Sequence, residues 1–309
     1  MSVAVVFQQM VVMFLLMGLG FLLARLKVFS TTASADFSKM VTVACNPALI
    51  VVSALNREAS VSRSELLYAV LIMGIYFAFL IGSNMLIPLL VTKKKGNRKF
   101  YQVLGNYGNI GFMGIPLISV ILGNEAIFYL SILIIIFNLF MYSHGVGILL
   151  KGEKDIETKF EWRQLINPGM ISSLGALIIY LADLSMPVIA TQSIQYVGQS
   201  TTCIAMVVIG MALSRIPAKA LFTEYPMYLF IAIRYLIMPV VAAFCLKPIM
   251  QNQLLLSVII ITMALPAGNM SLMFAEKYGI NPDLLAKGLV MTSIFSVVTV
   301  TVASWVLVL

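Results

Sequence analysis

The 309-residue sequence is poor in charged residues, histidine and cysteine, and these shortages exclude several classes of protein. Asp, Glu, Lys and Arg make up 10% of the chain, whereas 61% is hydrophobic and the mean hydropathy is +1.02. Soluble domains carry about 25% charged and roughly 45–50% apolar residues, so a soluble fold is excluded. The three cysteines lie inside apolar segments without paired spacing, which is not the pattern of a disulfide framework or a zinc site.

Motifs for catalysis and nucleotide hydrolysis are also absent from the sequence. It contains no His-Glu-x-x-His pair, no paired Asp-rich motif and no Gly-x-Ser-x-Gly elbow. It also lacks the Gly-x-x-x-x-Gly-Lys-(Ser/Thr) loop that binds ATP phosphates, which disfavours ATP-driven pumping by this chain alone. We therefore expect neither an enzyme nor a bound cofactor.

The abundant apolar residues arrive in blocks of about twenty, the length that a helix needs to cross the roughly 30 Å hydrocarbon core of a bilayer. Hydropathy windows of about nineteen residues predict an all-α membrane protein with ten transmembrane helices. The predicted spans are 3–24, 37–55, 66–91, 100–122, 126–150, 168–184, 189–213, 225–246, 253–278 and 284–307.

The basic residues predict how these spans are oriented. Loops on one side of the predicted membrane carry fourteen Lys and Arg, whereas loops on the other side carry Arg57, Arg63 and Lys247. Cytoplasmic loops are enriched in Lys and Arg, so the sequence predicts a multi-pass inner (plasma) membrane protein with both termini outside. The net charge of +8 is explained by these loops, and we expect no nucleic acid partner.

Ten spans divide into two sets of five, and an odd-numbered unit that is duplicated inserts its second copy upside down. We therefore predict a first repeat over 1–150, a cytoplasmic connection over 151–166 and a second, inverted repeat over 167–309. Span four contains four glycines, two asparagines and a proline between Gly105 and Pro116, and span nine is interrupted between Ala264 and Ser271. Paired interruptions of this kind indicate a transport site near the bilayer midplane.

Several segments resemble motifs of the auxin efflux carrier family, which includes plant carriers and bacterial organic-anion permeases. Asn109-Ile-Gly-Phe-Met-Gly-Ile-Pro116 is similar to the family's Asn-x-x-x-(Met/Ile)-Gly-(Ile/Leu)-Pro signature, and Ala264 to Tyr278 looks like its late Leu-Pro-x-Gly segment. Asn46 to Ile50 resembles a Pro-Ala-Leu-Ile motif, and Arg234 to Pro239 resembles an Arg-x-x-x-x-Pro run. The large central hydrophilic insert of the long plant carriers is missing.

The resemblance implies the fold of the sodium/bile-acid symporters. Spans one, two, six and seven would form a scaffold, which is often dimeric, and the other spans would form a mobile transport domain with crossed, broken helices four and nine. The expected partners are a small organic anion, the lipid bilayer and a second copy of the chain.

The candidate substrate-binding residues lie at the two interruptions and in span eight. Half-helix N-termini at such breaks carry partial positive charge and free N–H groups, which favour a carboxylate. The alternative for the prolines is a packing kink, and for the asparagines and Ser271 it is local pairing with freed backbone groups. The candidates are Asn106, Asn109, Gly111, Gly114, Pro116, Pro266, Gly268, Asn269, Ser271 and Arg234.

Two polar residues in other spans leave alternatives open. Arg234 lies roughly 14 Å deep, at 1.5 Å per helical residue, so it should face the protein interior or a wet cavity. It could serve as a substrate counter-charge or mobile-domain lock, or it could pair with helix-end carbonyls. His144, the single histidine, could relay protons or could be a bystander near the interface.

These observations predict a secondary transporter that moves a small organic anion, such as a carboxylate or auxin-like acid, by alternating access. An anion channel or a membrane sensor on the same scaffold is the alternative.

Overall fold

The computed structural model describes residues 3–30, 33–56, 63–152, 166–214 and 224–308, and these residues form an all-helical protein without strands. Two of its helices, α4 and α9, are each broken into two halves. The helices are α1 (Val3–Arg25), α2 (Ala33–Leu55), α3 (Arg63–Val91), α4a (Arg98–Asn106), α4b (Ile110–Leu122), α5 (Glu125–Leu150), α6 (Pro168–Ala182), α7 (Val188–Leu213), α8 (Tyr225–Leu246), α9a (Gln253–Ala264), α9b (Asn269–Lys277) and α10 (Asp283–Val308).

The predicted spans coincide with these helices to within four residues at each end. Among the described residues, seven helices are long and apolar enough to cross a membrane, namely α1, α2, α3, α5, α7, α8 and α10. Helix α6 and the half-helices α4b and α9a are apolar but shorter. The prediction of an all-helical protein with several membrane-spanning helices is therefore confirmed. Most of the predicted connection over 151–166 lies outside the described residues.

Wide π-helical turns occur in α2, α4b, α5 and α8, and in α2, α4b and α8 a proline follows the turn. The turns followed by a proline cover Val41–Cys45, Ile110–Gly114 and Ala232–Ile237, and Pro47, Pro116 and Pro239 each follow two residues after a turn ends. A proline ring clashes with the carbonyl four residues earlier, and that carbonyl lies inside the π turn in all three helices. The widened turn removes the clash and re-aims the residues before the proline.

Helices α1 and α7 approach closely because glycine replaces side chains at their contact. A Cβ atom added to Gly20 would overlap the backbone oxygen of Val207, and one added to Gly210 would overlap the backbone oxygen of Met17. Small residues allow membrane helices to gain van der Waals contact without a hydrophobic driving force. By contrast, a Cβ atom added to Gly18, on the same α1 helix, would meet no heavy atom within 4 Å.

We predict that Gly20→Val destabilises the protein, because the new side chain forces α1 away from α7. Overpacking of this kind costs about 1–3 kcal/mol or more. Gly18→Val is the matched control on the same helix and should leave the melting temperature in detergent unchanged. Equal melting temperatures for the two variants would contradict the close α1–α7 contact.

Candidate functional site

The interruptions of α4 and α9 meet and exchange two backbone hydrogen bonds. The Asn109 N–H donates to the Pro266 carbonyl at 2.8 Å, and the Gly268 N–H donates to the Tyr107 carbonyl at 2.8 Å. Gly108 and Ala267 thereby form an isolated antiparallel bridge. In a bilayer, non-helical backbone persists only where protein or a wet cavity satisfies its polar groups, and here each break satisfies the other.

Glycine permits this contact, and α10 completes its hydrogen bonding. A Cβ atom on Gly268 would lie 2.7 Å from the Gly108 carbonyl oxygen, which is closer than real Cβ atoms approach. The Thr292 hydroxyl accepts from the Ala267 N–H at 3.1 Å, and the Thr299 hydroxyl donates to the Ala264 carbonyl at 3.0 Å. Two freed backbone groups of the α9 break are therefore paired with side chains of a neighbouring helix.

An asparagine stands at the start of each second half-helix beside the crossing: Asn109 directly precedes α4b, and Asn269 is the first residue of α9b. The Asn109 side-chain oxygen caps α4b by accepting from the Phe112 N–H at 3.2 Å, while its amide nitrogen has no partner among the described residues. Asn269 starts α9b, and within the same described ranges its side-chain oxygen is also without a partner. The first N–H groups of a helix have no intrahelical acceptor. In α4b the Ile110 N–H donates to the Gly108 carbonyl at 2.9 Å and the Phe112 N–H donates to Asn109, so the Gly111 N–H is the donor that α4b offers beside those of α9b.

A cavity of about 210 Å³ lies against these two N-termini. Of the predicted site residues, Asn109, Gly111, Gly268 and Asn269 line it. Within the described part of the chain, none of its lining residues is charged. The other lining residues come from α2, α4, α5, the start of α6 and α9b: Thr42, Asn46, Ile50, Gly108, Ile110, Phe112, Ile115, Ile134, Phe137, Asn138, Tyr142, Asn167, Gly169, Met270 and Met273.

Four predicted residues at the breaks lie near the crossing but not in the cavity wall. Gly114 packs on Leu265, whose side chain would be 2.8 Å from an added Cβ atom. Pro116 follows the π turn of α4b, and Pro266 accepts the Asn109 hydrogen bond described above. Ser271 is buried in α9b, and its hydroxyl has no partner in the part of the chain that the structure describes.

Asn106 and Arg234 lie on the other side of the crossing, where α4a and α9a end. Asn106 accepts a hydrogen bond from the Asn84 amide of α3 at 2.9 Å. Arg234 donates from Nε to the Gly105 carbonyl at 2.8 Å and from Nη1 to the Met263 carbonyl at 2.9 Å. These bonds match one of the roles considered for Arg234, namely pairing with helix-end carbonyls.

Sequence reasoning missed the amides contributed by other helices. Asn46 of α2 lies against Gly111, and no described residue donates to its side-chain oxygen. Asn167 donates to Asn138 at 3.0 Å where α6 begins beside α5. The sequence did contain a signal for Asn46, because it precedes Pro47 in the segment that resembles the family's Pro-Ala-Leu-Ile motif. Asn138 and Asn167 lie in segments without a marked motif.

His144 contacts the crossing through a tyrosine. The Tyr107 hydroxyl donates to the Phe140 carbonyl at 2.9 Å and lies 3.0 Å from His144 Nδ1. The backbone carbonyl of the same tyrosine accepts the Gly268 N–H at the bridge. The histidine of α5 is thus joined to the α4 break.

The family assignment follows from a match over nearly the whole chain. A family model described as membrane transport protein matches residues 5–304, which include both breaks and every described helix that lines the cavity. The chain belongs to the auxin efflux carrier family of membrane transport proteins. The resemblance of its motifs is confirmed, and this family member is a multi-pass membrane protein.

Curated relatives of this family member come from plants and are much longer. It is 31% identical over 134 residues to auxin efflux carrier component 7 of Arabidopsis thaliana, a match covering 42% of this chain and 22% of that protein. A match to component 3 of Arabidopsis thaliana is 31% identical over 42% of this chain and 21% of the relative. Component 3a of Oryza sativa subsp. japonica is 30% identical over 42% and 22%. The matched region spans about a fifth of these relatives.

We predict that Gly268→Ala lowers the stability of the protein, because its new methyl group separates the backbones at the bridge. Steric strain of about 1–3 kcal/mol and loss of a backbone hydrogen bond worth about 0.5–1.5 kcal/mol are expected. Gly175→Ala on α6, where a Cβ atom meets nothing within 4 Å, is the control. Thermal melts in detergent decide the matter, and a Gly268→Ala protein as stable as the control would argue against the bridge.

Proposed function

We propose that this family member is a secondary transporter that moves a small organic anion by alternating access, and that the anion binds where α4b and α9b begin. The observation that carries the proposal is the convergence of two half-helix N-termini on one uncharged cavity. Membership in a membrane transport family supports the transporter role independently.

An anion site can exist here without a basic side chain. Each helix N-terminus carries about half a positive elementary charge and presents free N–H groups, which bind carboxylates and phosphates. The unpartnered amide nitrogen of Asn109 adds a side-chain donor at the same place. A carboxylate would satisfy these donors, which are costly to leave unpaired in a buried site.

The cavity wall favours an anion with an apolar body. Beyond the asparagines, the wall includes Ile50, Ile134, Phe137 and Met270. Small-molecule sites usually combine an apolar lining with a few placed polar groups that fix orientation. A monocarboxylate with a ring or hydrocarbon body fits this lining better than a dicarboxylate. The names of the plant relatives, which are auxin efflux carriers, make an auxin-like acid a reasonable member of this class.

Helix contacts support two repeats of five helices, 1–150 and 167–309, joined by residues 151–166, and the odd number of helices in each repeat would invert the second one. When each helix of a contacting pair is replaced by the helix five positions later or earlier in the chain, the two replacements are in contact as well in several cases. The α1–α7 contact corresponds to α6–α2, the α3–α4a contact to α8–α9a, and the α5–α9a contact to α10–α4a. In this proposal α1, α2, α6 and α7 form the scaffold of a homodimer, and the crossing belongs to the moving part.

In the predicted membrane orientation, the cavity faces the cytoplasm. With both termini outside, Thr42, Tyr142, Asn167 and Met273 lie in the cytoplasmic half, and Thr42 and Met273 are exposed. The opposite end of the cavity is lined by buried Ile115 and other apolar side chains. Several basic residues that set this orientation, namely Arg57, Lys154, Lys159, Arg163, Arg215 and Lys219, lie outside the described residues.

A ligand screen tests the proposed substrate class. Purified protein is heated with malate, malonate or indole-3-acetate, because a ligand that binds the folded state raises its melting temperature by mass action. We expect indole-3-acetate to stabilise more than either dicarboxylate. Flux into proteoliposomes that saturates and is stimulated by substrate on the opposite side supports a carrier, whereas single-channel currents would contradict alternating access.

We predict that Asn109→Ala weakens anion binding roughly tenfold to hundredfold, because a hydrogen bond to a charged group contributes about 1.5–3 kcal/mol. Asn109→Asp keeps an oxygen to cap α4b but repels the anion, so its loss should be larger. The control is Ser83→Ala, since Ser83 bonds the Leu80 carbonyl of its own helix away from the cavity. Titration of the stabilising carboxylate measures all three variants, and unaltered affinity of Asn109→Ala would refute this site.

We predict that cysteines introduced at Lys95 and Ser185 label from opposite sides of the membrane in a cysteine-free background. Lys95 precedes α4a on the predicted cytoplasmic side, and Ser185 lies between α6 and α7 on the predicted outer side. In sealed cells, an impermeant maleimide should modify position 185 alone. Modification of both positions would overturn the orientation.

A further inference from the structure

The C-terminal ends of α4a and α9a converge on one side of the crossing, opposite the cavity. The last four carbonyls of a helix lack intrahelical partners and carry partial negative charge. Two such ends near the bilayer centre form a negative, oxygen-rich site. In secondary transporters, half-helix C-termini and unwound carbonyls of this kind bind the coupling cation.

In this protein the guanidinium of Arg234 occupies that position. One side chain bridges both half-helices through its bonds to Gly105 and Met263, and it is 2% exposed. The Tyr235 ring lies 4.9 Å from the guanidinium carbon, and its hydroxyl donates to the Leu104 carbonyl at 2.7 Å. Two consecutive residues of α8 therefore cap α4a, and one of them also caps α9a.

The charge of Arg234 is balanced by these dipoles and not by an acid. Among the described residues, no carboxylate forms an ion pair with it. A cation buried in a membrane protein is costly unless carbonyls or counter-charges surround it. The two helix C-termini and the tyrosine ring supply that environment, just as they would for a free ion.

The space that remains beside the guanidinium is small. A cavity of about 10 Å³ lies between Arg234, Asn106, Tyr76 and Thr262, which is room for about one water molecule. A second cation in this space would meet a fixed positive charge at short range. Removal of the guanidinium, by contrast, would leave the carbonyl oxygens of Gly105 and Met263 with no donor.

We propose that Arg234 is a built-in cation that replaces a dissociable coupling ion at the paired C-termini of α4a and α9a, so that anion binding does not require sodium. The inference rests on the proposed transporter function. It assigns Arg234 a positioning role. The charge of Arg234 holds α4a and α9a, and the other halves of the same helices, α4b and α9b, carry the proposed anion site.

The test measures melting temperatures of the full-length protein without substrate in sodium, choline and methylguanidinium chloride at equal ionic strength. The wild-type protein should melt alike in sodium and choline, because its cation is covalently attached. Arg234→Ala should melt lower and regain part of the loss in methylguanidinium, relative to the wild type in the same salt. Stabilisation of the wild type by sodium over choline, or an equal loss by Arg234→Ala in every salt, would overturn the proposal.

Two further comparisons separate the charge from general effects on folding. Arg98→Ala is the control, since Arg98 also donates from Nε to a carbonyl, that of Thr92 at 3.4 Å, but away from the crossing. It should show no specific gain in methylguanidinium. If Arg234→Ala cannot be purified, Arg234→Lys and Arg234→Gln replace it: lysine keeps the charge and should need no added cation, whereas glutamine should gain from methylguanidinium. Identical salt responses of these two variants would contradict the proposal.

A binding experiment then keeps this inference distinct from the proposed function. Indole-3-acetate should bind the wild type with the same affinity in sodium and in choline, and a sodium requirement would overturn the built-in cation. If no carboxylate binds in either salt, the proposed function fails, whereas the melting experiment, which uses no substrate, still decides the role of Arg234.

Discussion

Two backbone hydrogen bonds between the breaks of α4 and α9 are the constraint on which the site depends. Hydrocarbon offers no water to pair with interrupted backbone, so a single broken helix would leave donors and acceptors unsatisfied. Here the segment around Gly108 pairs with the segment around Ala267, and each supplies the partner that the other lacks. The breaks are therefore interdependent, and Gly268 is required where the two backbones come closest.

The crossing separates the positive N-terminal ends of two half-helices from the negative C-terminal ends of the other two. The N-termini of α4b and α9b face an uncharged cavity, where Asn109 and Asn269 contribute amides. The C-termini of α4a and α9a face Arg234, whose guanidinium pairs with both. One side of the crossing is suited to an anion and the other already holds a cation. In the proposed function, backbone dipoles form the anion site, and Arg234 lies on the opposite side of the crossing.

Sequence alone predicted the helices and the two breaks, because twenty-residue apolar blocks and clusters of Gly, Pro and Asn are local signals. It predicted Asn109, Gly111, Gly268 and Asn269, which line the cavity, but not the other lining residues. The π turn before Pro116 changes the helix phase, so Gly111 reaches the cavity whereas Gly114 packs on Leu265. The amides of Asn138 and Asn167 come from distant segments, and their approach depends on tertiary packing. The partners of Arg234 are backbone carbonyls, which leave no pattern in the sequence.

A structure of the protein with a bound carboxylate tests the proposed anion site most directly. We expect the carboxylate group of indole-3-acetate, or of whichever acid stabilises the protein best, to contact the Asn109 amide, the Gly111 N–H of α4b and the first N–H groups of α9b. Its apolar body should lie among the side chains of α2 and α5 that line the cavity. A carboxylate bound to Arg234, or to any site away from the two N-termini, would contradict this assignment.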